Sequence, residues 1–255
     1  MKKQATLLPK IAALSVLAAF AAPVMAQQAG DNIVSAGWFH IVPQDSSTGI
    51  TVASGTGAGT YTSTAHSAVS NGNTLGLALT HFFTDNIAVT LDGGIPPEFT
   101  LYGKGSLASF GEIGNAKQWS PAVVAKYYFG SPQDKFRPFV GAGVSYITYS
   151  DVHLSNGFQQ YAGGESVNSA LTGGTASASL SSSVAPVISA GATYNLTDRL
   201  SIGLSVSYLK FKTDATITGN TTATAQAAGV SSTIVYKTSI TINPVVSFVS
   251  LGYKF

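Results

Sequence analysis

A chain of 255 residues with only 9% charged side chains, no cysteine and a formal net charge of +2 fits few environments. Ordinary soluble domains are roughly one-quarter charged, and without cysteine there is no disulfide framework, thiolate metal site or cysteine nucleophile. The small positive balance would be the only compositional support for nucleic-acid binding, and it does not survive a look at where the lysines lie.

Residues 1–26 read as a secretory signal. Lys2 and Lys3 make a positive start, Ile11–Ala22 an apolar stretch, and Ala26 a small-residue cleavage end. Of the 13 basic and 11 acidic residues, Lys2, Lys3 and Lys10 fall here, so the remaining chain carries −1 and nucleic acid is not an expected partner. Residues 27–255 are expected to form one domain. Mean hydropathy is +0.25, yet beyond the leader no apolar run reaches the roughly 18 residues of a membrane helix. An exported, apolar chain without helical spans points to a transmembrane β-barrel, in which every second residue faces lipid.

Asn32–Val42 is the first alternating segment. Thr74–Thr84 follows, with Leu75, Leu77 and Leu79 on one face and Gly76, Ala78 and Thr80 on the other. A short TDN turn leads into Ile87–Ile95, and Gln118–Phe129 is the fourth segment. After the turn-forming GSPQDKF comes Arg137–Tyr149, where Gly141 and Gly143 alternate with Val140, Ala142 and Val144. Ala185–Asn195 is the sixth. Leu200–Lys212 alternates most cleanly, and Thr241–Phe255 ends the chain.

These segments predict an all-β fold, an eight-stranded antiparallel transmembrane barrel with short periplasmic turns and long extracellular loops. The loops (43–73, 97–117, 150–183, 213–239) are rich in Gly, Ser, Thr and Ala. GTGAGT (55–60) and SALTGGTASASLSSS (169–183) are expected to be flexible. Aromatic residues near the short turns, among them Phe82, Phe83, Tyr127, Tyr128, Phe129 and Phe139, are expected to form one interfacial girdle. Trp38, Trp119, Tyr146, Tyr149 and Tyr208 are expected to form the other.

LGLALTHFFTDNIAVTL, YYFGSPQDKFRPFVGAGVSY and the terminal LGYKF resemble the OmpW family of small outer-membrane proteins, over about Asn32 to Phe255. The resemblance implies an eight-stranded barrel in the outer membrane of a Gram-negative bacterium. It also implies passage of small hydrophobic compounds, since the relatives include a porin-like importer of alkanes. Val249, Leu251, Tyr253 and Phe255 share one face of the last strand and resemble the signal read by the barrel-assembly machinery. Membrane lipid, a small hydrophobic permeant and that machinery are therefore the expected partners.

Eight strands leave an interior that side chains fill or that holds one small ligand, which disfavours a general aqueous pore. Parity turns Thr90 and Asp92, Lys126, and Ser205 and Ser207 inward, followed by Leu209 and Phe211. The periplasmic half is expected to be small and polar, and the extracellular half apolar, with Ile41, Leu209 and Phe211. A lone buried charge is costly, so Asp92 and Lys126 are expected to pair. The resemblance implies an apolar lining, from which Asp92 and Ser207 depart. A filled, inert core is the alternative.

GGIPPEF (Gly93–Phe99) interrupts the third strand. Pro96 and Pro97 cannot donate to a ladder, and in lipid such a break is tolerated only where protein covers it or it lines a cavity. A gap at Gly93, Gly94, Pro96 and Pro97 would let an apolar molecule leave sideways into the bilayer, an exit proposed for relatives of the family it resembles. The plainer alternative is that the prolines end the strand.

No motif indicates catalysis, metal or a cofactor: His40, His66, His81 and His153 are scattered, and H-E-x-x-H and G-x-S-x-G are absent. Two other functions stay open. A lipid A-modifying enzyme would need His40 or His153 to converge with Ser150, Asp151 or Ser155. A structural or adhesive barrel would act through its loops.

Overall fold

The computed structural model describes residues 27–255, and the leader expected over residues 1–26 lies outside the described residues. Eight strands form the membrane wall: β1 (Asn32–Val42), β2 (Gly72–Phe82), β3 (Ile87–Gly94), β4 (Ala122–Tyr128), β5 (Phe136–Leu154), β6 (Ser183–Asn195), β7 (Leu200–Leu209) and β8 (Val245–Lys254). Each pairs antiparallel with its neighbours in the chain, and the ring closes between β8 and β1, from Ile33↔Lys254 to Val42↔Val245. Closure leaves no strand edge in the lipid, where an unpaired backbone group has no water to turn to.

The alternation in the sequence is the physical cause of the wall. On β7, Leu200, Ile202, Leu204 and Val206 are 37–57% exposed, while Ser201 faces inward at 8%. Leu75, Leu77 and Leu79 on β2 and Val140 and Val144 on β5 extend this apolar outer belt. Two of the short turns share one device. Thr84 Oγ1 accepts from the Ile87 N–H, and Thr197 Oγ1 accepts from the Leu200 N–H, both at 2.9 Å. A threonine hydroxyl closing its own turn is the reason Thr-Asp-x works between β2 and β3 and between β6 and β7.

The girdles form with one correction. Phe83, Tyr127, Phe129 and Phe136 are 46–62% exposed at the periplasmic rim, and Trp38, Trp119, Tyr146 and Tyr208 are 37–51% exposed at the outer one. Phe82 and Phe139, expected in the girdle, are buried at 0% and 5% and point into the barrel, as does Tyr128 at 4%, for which the parity of the fourth strand already indicates the lumen. Strand parity decides this, because each sits beside a residue that already faces lipid. Tyr149 also turns inward, and its hydroxyl bonds to Thr213 Oγ1 at 2.8 Å.

The long loops are not flexible coils. Residues 98–105 and 112–119 form a hairpin that pairs with 65–69 on one side and with the upper half of β5 on the other. A second sheet runs 175–180, 212–220, 233–241, 50–54 and 61–62. The low-complexity stretch supplies the strand Thr175–Leu180, whose small alternating side chains pair with 215–220. GTGAGT is a hairpin turn, with Gly55, Gly57 and Gly59 at φ between 83° and 89°, values that suit glycine. Leu107, Ile113, Phe158, Ile217, Ile234 and Tyr236 form the core of this canopy. Sheet pairing and this apolar core order the loops despite their composition.

Candidate functional site: the lumen and the gap in its ladder

The periplasmic end of the barrel is shut. Arg137 is 0% exposed. Its guanidinium donates to the Gln27 carbonyl at 2.6 Å and the Asp85 carbonyl at 2.5 Å. The same group lies 5.4 Å from the Tyr128 ring centroid and 5.9 Å from that of Phe82, within cation–π range. Ile33, Phe82, Ala88, Tyr128 and Phe139 pack together around it. The expected small, polar periplasmic half is thus corrected: its lowest layer is aromatic.

Above this floor lies a small polar chamber of about 50 Å³, with Ser35, Thr80, Lys126, Thr193, Ser205 and Ser250 in its wall. Lys126 Nζ sits 4.8 Å over the Phe139 ring centroid. Thr90 is fully buried and bonds to Thr80 through their hydroxyls at 2.9 Å. The chamber is roofed by Phe39 and Phe248, stacked at 4.0 Å with an interplanar angle of 15°. Gly76 makes room for the stack, since a Cβ there would fall 1.9 Å from the Phe39 ring.

Over the stack opens a larger cavity of about 290 Å³. Ile41, Asp92, Ser207, Leu209 and Val246 line it, and one wall is the segment Gly93–Pro97 facing Trp119–Pro121. Phe211 forms part of the apolar cluster above, with Ile147, Val187, Leu209, Ile240 and Ile242. The last β3–β4 pair is Asp92↔Ala122, and pairing resumes only at Glu98↔Lys117. One backbone hydrogen bond, from the Gln118 N–H to the Pro97 carbonyl at 3.0 Å, spans the stretch between them.

This gap orphans little. Pro96, Pro97 and Pro121 have no N–H to leave unpaired. The Ile95 carbonyl accepts from the Thr74 hydroxyl at 2.6 Å, and the Pro121 carbonyl accepts from Ser145 Oγ at 3.1 Å. The Ile95 N–H still donates to Leu75 on β2. Side-chain hydroxyls thus replace the missing ladder. From Ile87 to Pro96 is nine residues, which at a rise of about 3.4 Å and a tilt of about 40° places the gap roughly 23 Å above the periplasmic end. The apolar belt of such barrels is about 25 Å tall, so the gap lies near its upper edge. Ile95 and Trp119 flank it and are 62% and 46% exposed.

The structure therefore gathers Ile41, Asp92, Ser207, Leu209 and the four gap residues around one cavity, with Phe211 just above. Thr90, Lys126 and Ser205 lie lower, in or below the polar chamber. The expected contact between Asp92 and Lys126 does not form. Register sets Ala122 opposite Asp92 and Ala88 opposite Lys126, so their backbone positions are four residues apart, about 13 Å along the strands. The two charges still act on each other, but from beyond ion-pair distance, and the Phe39–Phe248 stack bounds the chambers they line. Val249, Leu251, Tyr253 and Phe255 all face lipid, at 47–70% exposure. Phe39, Phe248, Thr74, Ser145 and Arg137 went unnoticed in the sequence. Bulky or charged residues at inward positions of a lumen lined with Ser, Thr and Gly are the signal that could have found Phe39, Phe248 and Arg137, whereas no such signal marks Thr74 or Ser145.

The grouping required for lipid A chemistry is engaged otherwise. Asp151 pairs with Lys117 at 2.9 Å, Ser150 Oγ accepts from Trp119 Nε1 at 3.2 Å, and Ser155 caps the helix at Asn156–Gln160. His153 Nδ1 contacts the Asp151 carbonyl, and His40 Nδ1 contacts Asn73 on the barrel wall.

A closed eight-stranded barrel with a lipid-facing belt, aromatic rims and a folded canopy on its long-loop side defines a small outer-membrane barrel protein. Residues 28–255 match the model of the OmpW family, and the chain belongs to that family. It is 34% identical over 248 residues to "Outer membrane protein W" of Vibrio cholerae serotype O1, covering 96% of this chain and 98% of that one. The crystal structure of the outer membrane protein OprG from Pseudomonas aeruginosa superposes with a TM-score of 0.74 at 27% identity, over 91% of this chain and 99% of that one. The structure of outer membrane protein AlkL in DMPC lipid bilayers shares the fold, with a TM-score of 0.58 at 21% identity, over 90% of this chain and 92% of that one. The protein resides in the outer membrane of a Gram-negative bacterium, embedded in its lipid.

Proposed function

We propose that this protein is a passive, non-enzymatic channel through which small hydrophobic compounds enter, leaving the lumen sideways into the bilayer between β3 and β4. The observation that carries the reading is the 290 Å³ cavity, closed below by the Phe39–Phe248 stack and the Arg137 floor, and bounded on one side by the ladder gap. A molecule that reaches this cavity from the canopy meets the Phe39–Phe248 stack and, below it, the Arg137 floor. Two further apolar-walled cavities, of about 190 and 50 Å³, lie in the canopy above. Each CH₂ removed from water gains about 0.8 kcal/mol, so lipid at the height of the gap is a downhill destination. Family membership and the likeness to OprG support the reading. We assign Val249, Leu251, Tyr253 and Phe255 to recognition by the barrel-assembly machinery, after removal of residues 1–26.

The test is uptake of a radiolabelled medium-chain alkane by cells without their own importer. Wild type, the P96T/P97V variant and an empty vector are compared, with insertion checked by heat-modifiable mobility. Uptake above the vector that falls in the proline variant supports the lateral route. Uptake equal to the vector by an inserted barrel refutes transport of that class and turns attention to the canopy as an adhesive surface.

A further inference from the structure

We propose that Asp92 makes the upper cavity select amphiphiles, apolar chains that carry a hydrogen-bond donor, an ammonium or a hydroxyl, at one end. The inference rests on the uptake reading above and names its preferred substrate. The cavity wall is mostly apolar, and several of its polar groups are already committed. Thr74 donates to the Ile95 carbonyl, the Gln118 side-chain amide donates to Ser120 Oγ at 2.7 Å, and Ser145 donates to the Pro121 carbonyl. Asp92 is different. Among the described residues its carboxylate makes no hydrogen bond and no ion pair within 4 Å, and the cation that acts on it, Lys126, does so only from a distance. Its partners across the ladder are Ala78 and Ala122, which offer no side-chain donor.

An ionised carboxylate only accepts, and Asp92 is partly buried, so it gives up part of its hydration beside a mostly apolar wall without a protein donor in return, which is costly. A plain alkane in the cavity would complete that desolvation without relief. An amine or alcohol would supply the missing donor while its chain takes the apolar wall. Asp92 adjoins Gly93 at the lower lip of the gap, so a head held there directs the tail up the wall toward Ile41 and Leu209. A volume of about 290 Å³ admits a chain of roughly ten heavy atoms, at about 30 Å³ for each water-sized group.

The experiment follows decane, 1-decanol and decylamine, each radiolabelled, into cells that make wild type, D92N, D92L or vector alone, with barrel folding checked by heat-modifiable mobility. Wild type is expected to raise uptake of the amine and the alcohol above that of the alkane. D92N removes the charge and keeps a carbonyl acceptor, so it should lower decylamine uptake about tenfold and spare decanol. D92L should lower both about tenfold relative to decane. If D92L fails to fold, the amine-specific loss in D92N decides alone. Equal effects on all three tracers, or none on the amine, would overturn the role of Asp92. Wild-type uptake no better than vector for every tracer would remove the channel reading itself, and this inference with it.

Discussion

Replacing Gly76 by alanine tests whether the Phe39–Phe248 stack is the packed partition described above. A Cβ at this position would lie 1.9 Å from Phe39 Cε2 and 2.2 Å from Cδ2. Ordinary contact begins at about 3.5 Å, so the ring must withdraw by roughly 1.6 Å. Phe248 faces it at 4.0 Å, and the free volume beside it is the upper cavity that Phe39 lines. Overpacking of this kind costs about 1–3 kcal/mol, and losing an aromatic pair adds about 0.5–1.5 kcal/mol. The expected loss is about 2–4 kcal/mol. With a urea dependence of about 1–3 kcal/mol per molar, the midpoint should fall by roughly 0.7–4 M when unfolding from lipid vesicles is followed by tryptophan fluorescence. F39L should relieve the clash, so the G76A/F39L pair should couple rather than add. An unchanged midpoint for G76A would refute the partition as drawn.

Two more changes probe other layers. R137M keeps an apolar side chain among the floor aromatics but deletes the bonds to the Gln27 and Asp85 carbonyls. At about 1.5–3 kcal/mol for a hydrogen bond to a charged group, stability should fall by about 3 kcal/mol in the same urea assay, and R137K should be intermediate because a point ammonium cannot reproduce the guanidinium fork. Above Ile147, β5 leaves the wall and pairs with the canopy hairpin, and there the hydrogen bond from Lys117 and its charge hold the Asp151 carboxyl below the usual carboxylate range. A lowered folded value means that its stabilisation is present above about pH 4 and fades as pH falls through that value. In K117M the carboxyl should return to its ordinary range by NMR titration, and the thermal midpoint at pH 7 should not move, since an exposed pair is worth little.

The wall was readable because lipid on one side and a narrow lumen on the other impose a period of two on every strand. Asn32–Val42 matches β1 residue for residue, and the inward parity of Thr90, Asp92, Ser205 and Ser207 holds. What the alternation cannot express is height and reach. Lys126 and Asp92 share an inward parity yet belong to different chambers, which depends on register across β3 and β4. The canopy escaped for a different reason. Its strands, such as Thr175–Leu180, are built of small residues whose order comes from pairing with segments 30 or more residues away in sequence. The prolines of the gap were visible, but the hydroxyls of Thr74 and Ser145 that serve its carbonyls come from β2 and β5, and only the closed ring brings them there.

A window cut into a β-barrel ordinarily creates two raw edges, each a template on which a stray strand of another chain can zip. Here the rim is written in prolines on both sides, Pro96 and Pro97 facing Pro121, and its remaining carbonyls are largely taken. The break therefore interrupts the hydrogen-bond network without offering neighbouring chains a seam, and a crowded outer membrane can hold many such barrels without their ladders stitching to one another.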